Sequence, residues 1–313
     1  MKPDQARAAV VVAVDHAGSA DDAVEWAAAE AATRRCRLRI VHAFHPLLPA
    51  DPYAVASPFD GVLAAQAAAE AVVRHYAERA RGVASDLEVA TRLLCQSPVR
   101  ALLDEATRAR LLVTGRRDLH GLRALVARSV SIPVAAHASC PVVVIRPARA
   151  VDRPGTPPRV VVGVDGASTR SPAIGFAFQA ARQRGVPLAA VHAWAPDPPA
   201  DLEAFHAPAT MAEALARRNL ERALHRWHSQ YPDVPVVTKL VRDDPAHALV
   251  AESRGAALVV VGSRGRGHLT GTVRGSVSQL VLRNGHSPIA VVRHRLDRSN
   301  TGWTRYGFGA ARA

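Results

Sequence analysis

The chain has 313 residues, 49% of them hydrophobic, which suits two domains of about 150 residues, each with an ordinary packed core. No apolar run exceeds strand length and the N-terminus Met1-Lys-Pro-Asp-Gln-Ala-Arg lacks an apolar stretch, so neither a membrane helix nor a secretory signal is expected. The net charge of +13 is almost all arginine, and with aromatics at 4% and none interleaved with a basic cluster, a nucleic-acid partner is not expected.

The first element is the apolar strand Val10-Val-Val-Ala-Val14, ending at Asp15. Ser19-Ala-Asp-Asp22 then reads as the cap of a helix whose apolar positions Ala23, Trp26, Ala27 and Ala31 recur with helical period. A second strand, Ile40-Val-His-Ala-Phe44, leads into a Pro-rich stretch over 46–58 that reads as a mobile loop, and an Ala-rich helix over 62–82 follows. After Ser97-Pro98-Val-Arg-Ala101-Leu102 come two more strands, Leu111-Leu-Val-Thr-Gly115 and Pro141-Val-Val-Val-Ile-Arg146. Cys36, Cys95 and Cys140 are scattered without a Cys-x-x-Cys pair, which fits reduced thiols in a cytoplasm and argues against disulfides or zinc.

The whole series then recurs. Val160-Val-Val-Gly-Val164-Asp165 and Ala190-Val-His-Ala-Trp194 repeat the first two strands at an offset of 150. Asp244-Pro-Ala-His-Ala-Leu249, Leu258-Val-Val-Val-Gly262 and Pro288-Ile-Ala-Val-Val-Arg293 repeat the later segments at an offset of 147. A second Pro-rich loop (196–208) and a second long helix (211–231) lie in between. Short strands alternating with helices predict an α/β fold with two repeated, Rossmann-like parallel-sheet domains of five strands each. The domains are assigned to residues 1–147 and 159–294, joined through Pro154-Gly-Thr-Pro-Pro158, and residues 295–313 read as a disordered tail.

The segment most informative about function follows the strand Ala257-Leu-Val-Val-Val261. It reads Gly262-Ser-Arg-Gly265, a nine-residue spacer, then Gly275-Ser276-Val277-Ser278 opening a helix. Glycines at a strand exit let backbone amides approach a ligand, and a helix N-terminus favours an anion. Together they make a concave phosphate site. The spacing is not a P-loop, because the chain's two lysines, Lys2 and Lys239, adjoin no glycine. Nor does Gly-x-Gly-x-x-Gly follow either first strand. A tight surface turn is the alternative reading for the glycines alone.

This Gly-2x-Gly-9x-Gly-Ser pattern resembles the universal stress protein family, whose nucleotide-binding members carry it at this place in an adenine nucleotide α-hydrolase-like fold. The resemblance implies an ATP site in the second domain. Asp165 would hold the adenosine part, and Val191 would offer its backbone to the adenine edge. Gly262, Gly265 and Gly275 would let amides surround the phosphates, joined by Ser276, Val277 and Ser278. Arg264 would reach the outer phosphates, where a planar fork suits, and any Mg²⁺ would arrive with the nucleotide. No carboxylate near 262–278 supplies a general base or metal acid, so an efficient ATPase is not expected.

The first copy departs from the pattern at Asp118 and Arg128, which replace the second and third glycines while Asp15, Gly115, Ser129 and Ser131 remain. Its site is expected to be impaired. The resulting reading is a cytoplasmic, ATP-binding regulatory protein. A slow adenine-nucleotide hydrolase or transferase, and an adaptor with empty sites, are the alternatives. The apolar last strands of the two copies are expected to pair with each other, which leaves association of whole chains into a homodimer open.

Overall fold

The structure, a computed structural model, describes residues 9–15, 20–44, 58–116, 130–146, 157–166, 169–194, 209–263 and 276–293. The first copy comprises β1 (Ala9–Val14), α1 (Asp21–Thr33), β2 (Leu38–Phe44), α2 (Pro58–Val83), β3 (Val89–Cys95), α3 (Pro98–Ala106), β4 (Ala109–Gly115), α4 (Ser131–His137) and β5 (Val142–Ile145). The second comprises β6 (Arg159–Gly163), α5 (Pro172–Arg184), β7 (Leu188–Ala193), α6 (Ala209–Gln230), β8 (Val236–Val241), α7 (Pro245–Glu252), β9 (Ala256–Gly262), α8 (Ser276–Asn284) and β10 (Ile289–Val292).

The ten strands form one sheet in the order β3-β2-β1-β4-β5-β10-β9-β6-β7-β8. Every neighbouring pair is parallel except β5 and β10, which run antiparallel with Val143 opposite Ala290. Central strands of such a sheet are covered on both faces, which is why they read as unbroken Val-rich runs rather than as alternation. Val10 and Val12 point into one core while Val11 points into the other. Helices α1, α2, α5 and α6 cover the first face; α3, α4, α7 and α8 cover the second.

Helix starts differ in detail from the sequence expectation. The residue before α1 is Ala20, which gives no side-chain cap; Ser19 lies outside the described residues, as do most of both Pro-rich stretches and the tail. In α7 the cap is explicit, because the Asp244 carboxylate accepts from the amides of Ala246 and His247 at 2.8 and 3.1 Å, and Pro245 needs no amide partner there.

Beside the β5–β10 seam, α1 and α5 meet through a buried charge cluster. Glu30, 4% exposed, takes Arg34, the residue that ends its own helix, at 2.6 Å and Arg184 of the other copy at 2.6 Å. Each arginine also lies over an aromatic ring of the opposite copy, Arg34 over Phe176 at 5.6 Å and Arg184 over Trp26 at 5.5 Å. These contacts are reciprocal, since the residues of each kind are 150 positions apart. The carboxylate is not, because Ala180 stands where Glu30 would recur. Removing it leaves two guanidiniums desolvated without a counter-charge. Glu30→Ala is expected to lower unfolding free energy by about 3 kcal/mol in urea denaturation; a loss below about 1 kcal/mol would place the cluster with solvated surface pairs.

Candidate functional site

A parallel sheet binds ligands where neighbouring strands send their helices to opposite faces. In the second copy that point lies between β6 and β9. From β6 the chain enters α5 on the first face, and from β9 it enters α8 on the second. Asp165, exposed, stands just past β6, and Gly262 ends β9. The strands are in register at Val162 and Val260, so two residues further on Val164 is level with Gly262, one strand spacing of about 4.8 Å away. Helix α8 opens at Ser276, and the first-turn amides of a helix have no partner within the helix itself.

Of the residues expected at the site, Asp165 and Gly262 stand at the ends of the two strands that form this crevice, and Val277 and Ser278 lie in the first turn of α8, with Ser276 placed by its backbone. Arg264, Gly265 and Gly275 lie outside the described residues. The Val277 side chain packs against the second core, which leaves its amide as the group at the crevice. Ser278 is buried, 8% exposed. Its counterpart Ser131 shows what such a hydroxyl does, donating to the carbonyl of Gly115 at 3.0 Å and tying the helix start to the strand end. Val191 is buried in β7, and its carbonyl accepts from the Val164 amide at 2.9 Å. That carbonyl is therefore committed to the sheet.

The sequence reading passed over His192. Its ring is buried, and Nδ1 lies 2.6 Å from the carbonyl of Val164, the residue before Asp165. A carbonyl only accepts, so Nδ1 carries the proton and Nε2 of the neutral ring is an acceptor. His42 makes the same bond to Val14 at 2.9 Å in the first copy. The signal was present in the sequence as a histidine inside an apolar strand, recurring at the repeat offset. Next to it Gly166 adopts φ +68, and a β-carbon there would meet Cβ of Asn219 on α6 at 3.0 Å and Cε1 of His192 at 3.5 Å.

The first copy has the matching crevice between β1 and β4, with Asp15 half-buried. It is lined differently. Tyr76 stands where the second copy has Ala223; burial, then the charges of Asp21 and Asp15, push its phenol up. Arg116, following Gly115, extends across to the second copy and donates to the carbonyls of Leu282 and Arg283 at 2.9 and 2.6 Å, the C-terminal end of α8. Arg146 also donates to the carbonyl of Leu282, at 2.5 Å. Asp118, Arg128 and Ser129 lie outside the described residues.

Two α/β units with switch-point crevices, paired through their last strands, define a tandem protein of the doubly wound α/β class. A profile of the Universal stress protein family matches residues 7–146 and again 157–293. A universal stress protein of Mycolicibacterium smegmatis is 34% identical over 296 residues, covering 91% of this chain and 97% of that protein. One from Mycobacterium tuberculosis is 36% identical over 294 residues, covering 91% and 96%. Among solved structures, a universal stress protein from Archaeoglobus fulgidus superposes with a TM-score of 0.65 at 18% identity, covering 93% of this chain and 98% of that one. The chain belongs to the universal stress protein family.

Among the described residues no helix is long and apolar enough to cross a membrane, and no group of three or more His, Cys, Asp or Glu side chains is placed to hold a metal ion. The carboxylate with a clear shift lies at the opposite rim. Burial pushes Glu252 up, but hydrogen bonds from Lys239 at 2.8 Å and Arg159 at 3.0 Å outweigh it, and its pKa falls below the ordinary 4.5. A folded-state pKa below the unfolded one stabilises at neutral pH, and the contribution disappears as pH falls through the folded value. Glu252→Gln is expected to melt earlier than the wild type at pH 7. As pH falls below the ordinary carboxylate range and through the lowered folded value, the gap should narrow and close. A gap of constant size in thermal scans across that pH range would show that the ion pairs contribute nothing.

Proposed function

We propose that the second copy binds ATP in the β6–β9 crevice and that the protein is a cytoplasmic regulator acting through nucleotide occupancy, with turnover absent or slow. The observation that carries this reading is the meeting of three features at one switch point: the exposed Asp165, the Gly262 strand exit and the Ser276 helix start. The domains are proposed as residues 1–147, with an impaired site, and 159–294, with an intact one. Asp165 holds the adenosine part. The amides around Gly262, Gly265, Gly275, Ser276 and Val277 surround the phosphates, with Arg264 at the outer end and Mg²⁺ arriving only as part of the nucleotide complex. Ser278, buried like its counterpart, secures the start of α8. With the carbonyl of Val191 committed, the next backbone on that side of β7 is that of Ala193, and we assign it the adenine edge. Free cysteines at positions 36, 95 and 140 accord with a reducing compartment. In solution, β5 and β10 are proposed to hold the two copies together, so any homodimer would form through another face.

Mass spectrometry of the purified, denatured protein is expected to detect ATP at close to one molecule per chain. Titration of nucleotide-stripped protein should reproduce that stoichiometry, and single-turnover incubation should release product far more slowly than typical enzymes, with turnover numbers of about 1 per second and above. Absence of adenine nucleotide in both experiments overturns the reading, and steady enzyme-like turnover replaces it with a hydrolase.

Gly275→Val should weaken binding about tenfold or more, because a β-branched side chain fills the space the proposal gives to phosphate. Unchanged affinity by calorimetry in a normally folded variant would reduce the Gly-rich segment to a turn.

A further inference from the structure

The β6 exit holds two polar groups to which the proposal above gives no role. His192 is 8% exposed, and its Cε1–Nε2 edge faces Gly166, with Nε2 3.8 Å from where a β-carbon would sit. Its Nδ1 proton is held by Val164, so Nε2 presents a lone pair, and among the described residues it meets no donor. Asn219 reaches the same spot from α6, is half-buried, and makes no hydrogen bond among the described residues. At the matching position of the first copy stands Val72, packed against the apolar core. One helix position is thus apolar in the copy whose crevice departs from the pattern and an amide in the other.

We infer that Asn219, with His192 behind it, reads the ribose hydroxyls of the nucleotide bound in the second copy. This rests on the ATP reading and deepens it. Donor and acceptor chemistry selects the ribose. Asp165 is acceptor-only, His192 Nε2 is an acceptor, and the Asn219 amide is both donor and acceptor. A diol matches this set, because each O–H donates to a carboxylate or imidazole while its oxygen accepts from an amide. Adenine carries its two N–H donors on a single planar amino group and otherwise only accepts, which matches acceptors on separate elements less well than the two O–H groups of a diol. Phosphate offers only acceptors and is repelled by the carboxylate. With no side chain at Gly166, where a β-carbon would meet Asn219 Cβ at 3.0 Å and His192 Cε1 at 3.5 Å, the backbone next to Asp165 packs directly against both side chains, so Asp165, Asn219 and His192 share one corner of the crevice.

The test is calorimetric titration of nucleotide-stripped full-length protein with ATP, 2′-deoxy-ATP and 3′-deoxy-ATP. The wild type should bind ATP about tenfold more tightly than at least one deoxy analogue. In Asn219→Val, which installs the residue of the first copy, that preference should shrink to within about twofold, through weaker ATP binding and little change for the analogue. Asn219→Ala serves as a second variant free of β-branching, and both are checked by melting temperature. A preference that stays the same in both variants, or a wild type indifferent to either hydroxyl, overturns the inference while leaving the ATP site intact. A wild type that binds none of the three nucleotides overturns the site itself, and the inference with it.

Discussion

Two strands of four residues each decide how the rest of this molecule is arranged. Alone, β5 and β10 would be apolar sheet edges with a row of unpaired backbone groups. Paired, they join two five-stranded sheets into one and make each hydrophobic core continuous across both copies. Their register preserves the faces, with Val144 opposite Ile289 in one core and Val143 opposite Ala290 in the other. A slip by one residue would turn each set toward the wrong helical layer. The pairing is antiparallel, so the carboxyl ends of the two sets of strands point to opposite rims of the sheet. The two crevices therefore open away from each other, and no single ligand spans both.

That reversal also explains the position of Arg116. The rim onto which β4 opens is the rim at which α8 of the other copy ends. A cation at the start of the first-copy loop reaches the carbonyls of Leu282 and Arg283, where the helix dipole is negative. In the second copy the same loop position is Ser263, too short for such a reach. The first-copy loop thus contributes to holding the helix whose far end faces the crevice of the second.

Much of this was legible in the sequence, for physical reasons. Fully buried parallel strands need unbroken apolar runs, and a repeat in those runs means a repeated sheet. Asp165 and Gly262 could be placed at strand exits because exits follow directly from strand ends. What was not legible depends on partners far along the chain. Whether the backbone of Val191 or Ala193 is available depends on how β7 registers with the end of β6. Ser278 and His192 are polar residues whose roles follow from burial, which single-residue chemistry does not reveal. Gly175 resembles a helix weakener until Trp227 is seen lying 2.3 Å from where its β-carbon would be. In the first copy the same pair of positions holds Glu25 and Ala80, so the bulk has moved from one helix to the other.

The single carboxylate at the seam decides which unit can pair with which. The seam is otherwise two-fold in character, with arginine over aromatic in both directions. Glu30 alone serves both cations, and Ala180 stands at the mirror position. Two copies of the C-terminal unit meeting in this way would set Arg184 against Arg184 with nothing between them, and such like-charge contact costs several kcal/mol. Two copies of the N-terminal unit would instead bury a pair of glutamates with a pair of arginines. With one acid for two cations the halves are not interchangeable, and the tandem chain is the arrangement in which the C-terminal unit finds its counter-charge.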